Sequence, residues 1–199
     1  RTELRDAGDD EQFRRAATAG VSVPLVSLRL RTDSGELAPW DGKTMGEVQV
    51  RGPFITGAYH RVGATPDKFT DDGWLRTGDV ATLDALGYLR ITDRTKDLVK
   101  SGGEWISSVD LENALMAHPA IAEAAVIAIP HEKWGERPLA CVVFKAGQNA
   151  APPADLNEHL GRHGFAKWQL PDRYEVLTAI PRTSTGKFWK LKLREQFPR

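Results

Sequence analysis

Four short polar segments carry the residues of this sequence that could do chemistry. They are Thr-Gly-Asp at 77–79, Asp-Arg at 93–94, Lys-Ser-Gly-Gly at 100–103 and Thr-Ser-Thr-Gly-Lys at 183–187. Carboxylates accept hydrogen bonds from hydroxyl groups, and lysine and arginine neutralise anions. Glycine lets a backbone approach a ligand closely. The residue types therefore allow binding of sugar hydroxyls and of anions, although each segment taken singly also fits a solvated turn.

Asp79 and Lys187 are the candidates in the first and last segments. Asp79 could accept both hydroxyls of a ribose, or it could simply close a turn. The residues before Lys187 end like a phosphate-binding loop, but the first glycine and the preceding strand of that motif are missing, which excludes a P-loop. A lysine on a glycine-containing turn still suits an anionic transition state, or it lies in solvent as a snorkelling side chain.

Other kinds of catalytic centre find little support. Among the histidines only His159 and His163 have helical i, i+4 spacing, and no glutamate of the zinc-protease pattern lies between them. The Gly-x-Ser-x-Gly elbow of a serine hydrolase is absent. Cys141 is the single cysteine, which excludes an internal disulfide and fits a reducing compartment. Since it lies in the apolar run 139–144, we expect a buried small hydrophobe rather than a nucleophile.

The elements before residue 96 read as a mostly β unit. Alternating apolar and polar residues predict strands over 21–31 and 47–51, and two further short strands over 80–83 and 88–92. Residues 11–19 are compatible with one exposed helix that ends at Gly20.

From residue 96 onward the pattern predicts a hairpin, a helix, two strands, a helix, a strand and a last short helix. Ser107 or Ser108 caps the first helix, and His118-Pro119 ends it. The expected strands are 124–129, 139–144 and 174–177, and the later helices are 155–163 and one that places Trp189, Leu193 and Phe197 on one face. The fold class is therefore α+β, with a β-rich, barrel-like subdomain followed by a small α/β domain that has an antiparallel sheet and flanking helices.

Composition excludes several classes of protein. The 199 residues carry 27 basic and 27 acidic side chains, so no net charge favours nucleic acid. No stretch approaches the roughly 20 apolar residues of a membrane-spanning helix. The sequence opens on Arg1, and we expect it to be a piece of a longer protein.

The order and spacing of the motifs resemble the adenylate-forming superfamily, which contains acyl-CoA synthetases, peptide-synthetase adenylation domains and firefly-type luciferases. The resemblance runs from about Val23 to Phe197. The motifs that match are Gly-Glu-Val at 46–48, Arg-Gly-Pro at 51–53, Gly-Trp-Leu-Arg-Thr-Gly-Asp at 73–79, the segment from Asp-Arg-Thr-Lys-Asp at 93–97 through Glu112, Pro-Arg-Thr at 181–183 and Gly-Lys at 186–187. Lys-Ser-Gly-Gly-Glu-Trp-Ile-Ser at 100–107 is similar to medium- and long-chain fatty acyl-CoA synthetases in particular.

The resemblance implies a role for each matching residue. Asp79 would hold the ribose hydroxyls of ATP or of the acyl adenylate, and Arg94 would support the same nucleotide. Lys96 would be the hinge about which the small domain rotates. Lys187 would reach the substrate carboxylate and the α-phosphate during adenylation. The residues presented to the pantetheine thiol of CoA would be Lys100, Ser101, Gly102 and Gly103.

The same resemblance implies a division into domains. Residues 1–95 would be the last β subdomain, itself incomplete, of a large N-terminal domain, and residues 96–199 the small mobile C-terminal domain. The phosphate loop, the ligands of Mg²⁺ and the acyl pocket would all precede Arg1, so no metal site is expected here. We therefore expect this chain to be inactive by itself as an acid-thiol ligase.

The function implied is ATP-dependent adenylation of a fatty acid followed by thioester formation with CoA. Two alternatives stay open: an adenylation enzyme that loads a carrier protein, and a stand-alone non-catalytic binding module. The implied partners are the fatty acid, ATP and CoA, with no nucleic acid and no integral membrane segment. Self-association as a homodimer stays open. The expected location is the cytoplasm, with peripheral attachment to a membrane also open.

Overall fold

The computed structural model describes residues 7–60 and 67–198, and the chain divides into two compact units, residues 1–95 and 96–199. The described residues of the first unit form one helix and four strands: α1 (Asp9–Ala16), β1 (Ser27–Arg31), β2 (Gly46–Arg51), β3 (Leu75–Leu83) and β4 (Leu89–Arg94). The strands pair antiparallel in chain order β1-β2-β3-β4. This unit is β-rich, as the alternating sequence pattern predicts.

The second unit combines five strands with three α-helices and a short 3₁₀ helix among its described residues. The strands are β5 (Val99–Ser101), β6 (Glu104–Ile106), β7 (Ile121–His131), β8 (Gly135–Phe144) and β9 (Arg173–Val176). The helices are α2 (Ser108–Met116), α3 (Pro153–Arg162), the 3₁₀ helix Lys167–Gln169 and α4 (Lys190–Gln196). The order of elements predicted for this half is confirmed, and so is the α+β fold class.

The long hairpin of β7 and β8 is the centre of the second unit. The sheet order is β6-β5-β8-β7, with β9 pairing parallel to β8. Successive residues of a strand point to opposite faces. Ala124 and Val126 accordingly lie in the core with α2 and α3, whereas Ala125 and Ile127 pack in a second core with Leu193 of α4. Because both faces are covered, the strand is an unbroken apolar run instead of an alternating one.

Several boundaries differ from the sequence-based expectation; strand β3, for example, begins at Leu75 instead of at residue 80. Helix α1 begins and ends earlier than 11–19, and only the end of the segment 21–31 pairs as a strand. Strand β7 continues through Pro130, where the sequence suggested a stop. Since β7 is at the edge of the sheet, the missing N–H of Pro130 can be tolerated there. Strand β9 pairs parallel to β8, which the local sequence pattern did not predict, since an antiparallel sheet was expected.

Helix α2 begins where the polar pattern predicts. The hydroxyl of Ser107 accepts a hydrogen bond from the backbone N–H of Asp110 at 3.0 Å, which is an N-cap. Cys141 is fully buried, and burial raises the pKa of its thiol to about 12, so the expectation of a structural cysteine is confirmed. Within residues 7–60 and 67–198, no helix is long and apolar enough to cross a membrane.

A buried ion pair connects α4 to α2 and β7. The ammonium of Lys190 lies 2.6 Å from Oε1 of Glu112 and donates to the hydroxyl of Ser108 at 2.7 Å. The same carboxylate oxygen accepts the backbone N–H of Val126 at 2.7 Å. The two charged side chains are only 12% and 10% exposed, so either one without its partner would be an uncompensated charge in the interior.

Glu112→Ala should therefore lower the free energy of unfolding by about 3–5 kcal/mol, because Lys190 stays buried without its partner. The double variant Glu112→Leu/Lys190→Met should lose less than Glu112→Ala alone, since no charge is left behind. Urea denaturation followed by circular dichroism measures both. Glu158→Ala on the exposed face of α3 is the matched control, with a loss of about 0.5 kcal/mol or less. A loss for Glu112→Ala no larger than that of the control would contradict this account.

Candidate functional site

In the first unit, Asp79 and Arg94 are direct cross-strand partners on β3 and β4. Nε of Arg94 lies 2.6 Å from Oδ1 of Asp79. Gly78 precedes the pair with φ of +74°, a conformation that favours glycine, and its carbonyl accepts the backbone N–H of Thr95 at 2.9 Å. The two residues that the sequence assigns to a nucleotide thus lie side by side at one point of the sheet, and Arg94 remains exposed.

At the start of the second unit, the predicted hinge segment is attached to the last helix. One guanidinium nitrogen, Nη2 of Arg194, donates to the backbone carbonyl of Lys96 at 3.0 Å and to Oδ1 of Asp97 at 2.8 Å. The side chain of Lys96 itself is exposed. Residues 96–97 and α4 are therefore held to each other within this unit.

The segment 100–103 forms the tight hairpin of β5 and β6. Gly102 and Gly103 make the turn with φ of +61° and +86°. The backbone N–H of Gly102 donates to the carbonyl of Trp134 at 2.8 Å, and the indole ring lies so close that a Cβ on Gly102 would be 3.0 Å from it. The positive φ favours glycine at both positions, and the close tryptophan ring is a second reason for glycine at Gly102.

A cavity of about 340 Å³ adjoins this hairpin. Its lining residues are Ser101, Gly102, Glu104, Trp134, Arg137, Trp168 and Asp172. Its size lies at the lower end of the range typical of small-molecule sites. Ser101 and Gly102 are two of the four residues that the sequence assigns to pantetheine, whereas Lys100 and Gly103 lie in the same hairpin without lining the cavity.

Sequence reasoning missed the other five residues that line this cavity: Glu104, Trp134, Arg137, Trp168 and Asp172. The two tryptophans are 44% and 45% exposed, so each offers part of its indole surface to a ligand in the cavity. Trp134 lies in the turn between β7 and β8, and Trp168 in the 3₁₀ helix, 34 positions later. An exposed tryptophan in a predicted loop is the one signal that the sequence offered for each.

Lys187 lies on a second, separately fixed turn. Arg182 and Phe188 form a β-bridge, and the backbone N–H of Thr183 donates to the carbonyl of Lys187 at 2.8 Å. The guanidinium of Arg182 donates to the carbonyl of Gly186 at 2.6 Å and to the carboxylate of Glu123 on β7. The side chain of Lys187 projects from this closed turn into solvent, so a cation is held on a well-defined backbone.

The two turns of the second unit are anchored at opposite ends of the β7–β8 hairpin. Glu123 pairs with Val143, whereas Ser101 pairs with Gly135 at the other end of β8. The eight-residue offset from Gly135 to Val143 corresponds to about 26 Å at roughly 3.3 Å per residue. The Lys187 turn and the cavity therefore cannot contact the same reacting atom with the unit in one orientation.

Nothing in the described ranges 7–60 and 67–198 groups three or more His, Cys, Asp or Glu side chains in a way that could hold a metal ion. The ring of His159 does contact two other histidines, His118 edge-on and His163 at a tilt, with ring centroids 5.0 Å and 4.2 Å apart. Their ring nitrogens are engaged by backbone groups: Nδ1 of His118 accepts an N–H, and Nε2 of His159 lies 2.9 Å from the carbonyl of Ala114. Desolvation lowers the pKa of His118.

Comparison with known proteins identifies relatives of this chain. Residues 110–187 match the family model of the AMP-binding enzyme C-terminal domain. The chain is 54% identical over 198 residues to a long-chain-fatty-acid–CoA ligase of Thermus thermophilus, which covers 99% of this chain and 36% of the relative. It is 40% identical over 192 residues to a medium-chain-fatty-acid–CoA ligase of Ectopseudomonas oleovorans, covering 96% of this chain and 34% of that relative.

Solved structures give the same relationship. The crystal structure of ATP-bound MatB from Rhodopseudomonas palustris superposes with a TM-score of 0.77 at 32% identity, over 92% of this chain and 36% of that one. The chain thus spans about a third of the length of the relatives it matches. The chain belongs to the adenylate-forming superfamily, and its residues 110–187 are the C-terminal domain of an AMP-binding enzyme.

Proposed function

We propose that this chain is the C-terminal part of a fatty acyl-CoA synthetase. The enzyme joins a fatty acid to AMP at the expense of ATP, releases pyrophosphate, and then transfers the acyl group to the thiol of CoA. Relatives named for long-chain and medium-chain fatty acids support this substrate class. Residues 1–95 serve as the last β subdomain of the large domain, and residues 96–199 as the small mobile domain.

The observation that carries the proposal is the separation of two functional ends within one rigid unit. The turn with Lys187 and the cavity beside Ser101 and Gly102 are anchored about 26 Å apart along β8. An enzyme with two successive transition states can use both ends only if the unit presents first one and then the other. Rotation about Lys96, at the start of this unit, is the simplest way to exchange them.

In the first half-reaction, a carboxylate oxygen attacks the α-phosphorus of ATP and the bond to pyrophosphate breaks. Two anions approach each other, so a cation between them stabilises the transition state as charge moves onto the phosphate oxygens. Lys187 supplies that ammonium from its closed turn. Asp79 accepts hydrogen bonds from the ribose hydroxyls, and Arg94, paired with it at 2.6 Å, keeps the carboxylate oriented and supports the same nucleotide.

In the second half-reaction, the thiol attacks the acyl carbonyl and releases its proton to solvent as the carbon–sulfur bond forms, and AMP leaves with the electron pair of the broken carbon–oxygen bond. The thiol is at the end of a long, flexible pantetheine arm and must pass close to the protein backbone. The hairpin turn of Gly102 and Gly103 has no side chains of its own, and Lys100 and Ser101 flank it. The indole of Trp134 occupies the space beside Gly102, whereas the space beside Gly103 is open to the thiol. Binding of Mg²⁺ is assigned to parts of the enzyme outside these residues.

The cavity favours free CoA as the acceptor over a pantetheine-bearing carrier protein. CoA differs from carrier-bound pantetheine by its adenosine phosphate portion, and a purine stacks on exposed indole rings with about 1–3 kcal/mol per base. Trp134 and Trp168 line the cavity with nearly half of each ring exposed. The ammonium of Lys133 lies 4.4 Å from the centre of the Trp134 ring and adds positive charge beside it, as a phosphate would require.

We assign the enzyme to the cytoplasm, where ATP, CoA and fatty acids are available together. The 27 basic and 27 acidic residues of this chain balance, so its net charge gives it no general attraction to an anionic membrane surface. Formation of a homodimer is not required by any step proposed here.

Lys187→Ala in the complete enzyme should reduce the rate of adenylation by about 100-fold or more, because the transition state loses its cation. Thioester formation from supplied acyl adenylate should stay within about threefold of wild type. Pyrophosphate release and acyl-CoA formation measure the two steps separately. Lys192→Ala, an exposed lysine on α4, is the control and should leave both steps unchanged. Equal losses in the two half-reactions would show that Lys187 does not have this role.

Trp134→Ala and Trp168→Ala should each raise the KM for CoA by about tenfold, which is the loss of roughly 1.4 kcal/mol of stacking. The KM for pantetheine, which lacks the adenine, should not change. Trp40→Ala in the first unit removes another exposed indole and is the matched control. If both variants had wild-type KM values for both CoA and pantetheine, the cavity would not bind CoA. Efficient acyl transfer to a carrier protein alone would favour the carrier protein as the acceptor.

A further inference from the structure

Arg137, at the beginning of β8, forms the most extensive side-chain network of the cavity. Its Nε and Nη2 donate to the two carboxylate oxygens of Asp172, each at 2.7 Å. Nη1 donates to the hydroxyl of Ser101 at 2.9 Å and to the carbonyl of Trp168 at 2.5 Å. Nη2 also donates to the carbonyl of Leu170 at 2.9 Å. These bonds use all five N–H donors of a guanidinium.

This network joins three segments that are distant in the sequence. Ser101 belongs to the β5–β6 hairpin, Trp168 to the 3₁₀ helix, and Asp172 to the connection before β9; they lie 36, 31 and 35 residues from Arg137. Two of these partners, Ser101 and Trp168, lie on opposite sides of the cavity that is proposed to bind the acceptor. The guanidinium therefore sets the distance between the hairpin that guides the thiol and the indole that receives the adenine.

The charge of Arg137 is compensated inside the protein. The side chain is only 8% exposed, and hydrogen bonds from Arg137 are the main cause that lowers the pKa of the Asp172 carboxyl. A buried arginine whose donors are all occupied has no N–H left for a phosphate of CoA. An arginine in a nucleotide cavity would ordinarily be assigned to phosphate binding, but this geometry assigns it to the protein itself.

We propose that Arg137 is a positioning residue for the acyl acceptor, which acts by holding Ser101 and Trp168 in register across the cavity. This inference rests on the proposed function, since it concerns the second half-reaction of the synthetase. It differs from phosphate binding in a testable way. Displacing the hairpin affects every thiol that enters the cavity, whereas displacing the indole alone, or losing a phosphate contact, affects only CoA.

The test uses Arg137→Met, Arg137→Lys and Asp172→Asn in the complete enzyme, with CoA and pantetheine as acceptors. For Arg137→Met we expect kcat/KM of the acyl transfer to fall by about tenfold or more with both thiols, because displacements near 1 Å have effects of that size. Pyrophosphate release should stay within about twofold of wild type. Arg137→Lys, which keeps the charge and some donors, should recover part of the loss. Asp172→Asn should give a smaller loss of about threefold, since Asp172 is 45% exposed and its replacement keeps the shape of the site.

Controls separate the possible outcomes. Arg162→Met, an exposed arginine on α3 with one ion pair, should match wild type in both half-reactions. If adenylation falls together with acyl transfer, Arg137 only stabilises the fold and the proposal is overturned. A loss confined to CoA would show that Arg137 does not position the hairpin for the thiol, and it also overturns the proposal. If Arg137→Met does not fold, Arg137→Lys and Asp172→Asn give the same comparison. Absence of acyl transfer by the wild-type enzyme to either thiol would instead refute the proposed function.

Discussion

Ten residue pairs join β7 to β8, and this antiparallel ladder is the constraint on which the second unit depends. Both of its faces are covered by apolar cores, so the hairpin cannot bend without exposing buried side chains to water. It therefore acts as a rigid spacer. The spacing keeps the lysine turn and the glycine hairpin apart. Because local flexibility cannot bring one end to the other, the unit must rotate for both ends to reach the same reacting centre.

Charged side chains then fix the irregular segments to this spacer. Arg182 closes the lysine turn onto Glu123, and Arg137 connects the hairpin to the 3₁₀ helix. Arg194 attaches the last helix to the backbone of Lys96. Of the three, Arg137 is buried, and its five hydrogen bonds offset the cost of burying the charge, whereas Arg182 is exposed and Arg194 half-buried. Arginine at these three places specifies the geometry of loops that have few apolar residues of their own.

The sequence alone predicts those structural features that depend on residues close together in the chain. The apolar run of β7, the Gly-Gly turn of the hairpin and the serine cap of α2 each follow from residues close in the chain, and each was placed within a few positions. The motif order identified the superfamily, which the relatives confirm. The roles of individual residues, Lys96 and Lys187 among them, remain predictions. The cavity could not be predicted, because Trp134, Arg137 and Trp168 meet only through tertiary packing.

The proposed mechanism depends on a rotation about Lys96 that presents the Lys187 turn and the glycine hairpin one after the other. The rates of the two half-reactions of Lys96→Pro, measured in the complete enzyme, test this rotation most directly. Proline fixes φ near −65° and restricts the preceding residue, so rotation at this position is impeded. Lys96→Ala, which keeps backbone freedom, is the control. The account predicts that Lys96→Pro retains pyrophosphate release while acyl-CoA formation falls by about tenfold or more relative to Lys96→Ala. Unchanged rates of both steps in Lys96→Pro would contradict a hinge at this residue.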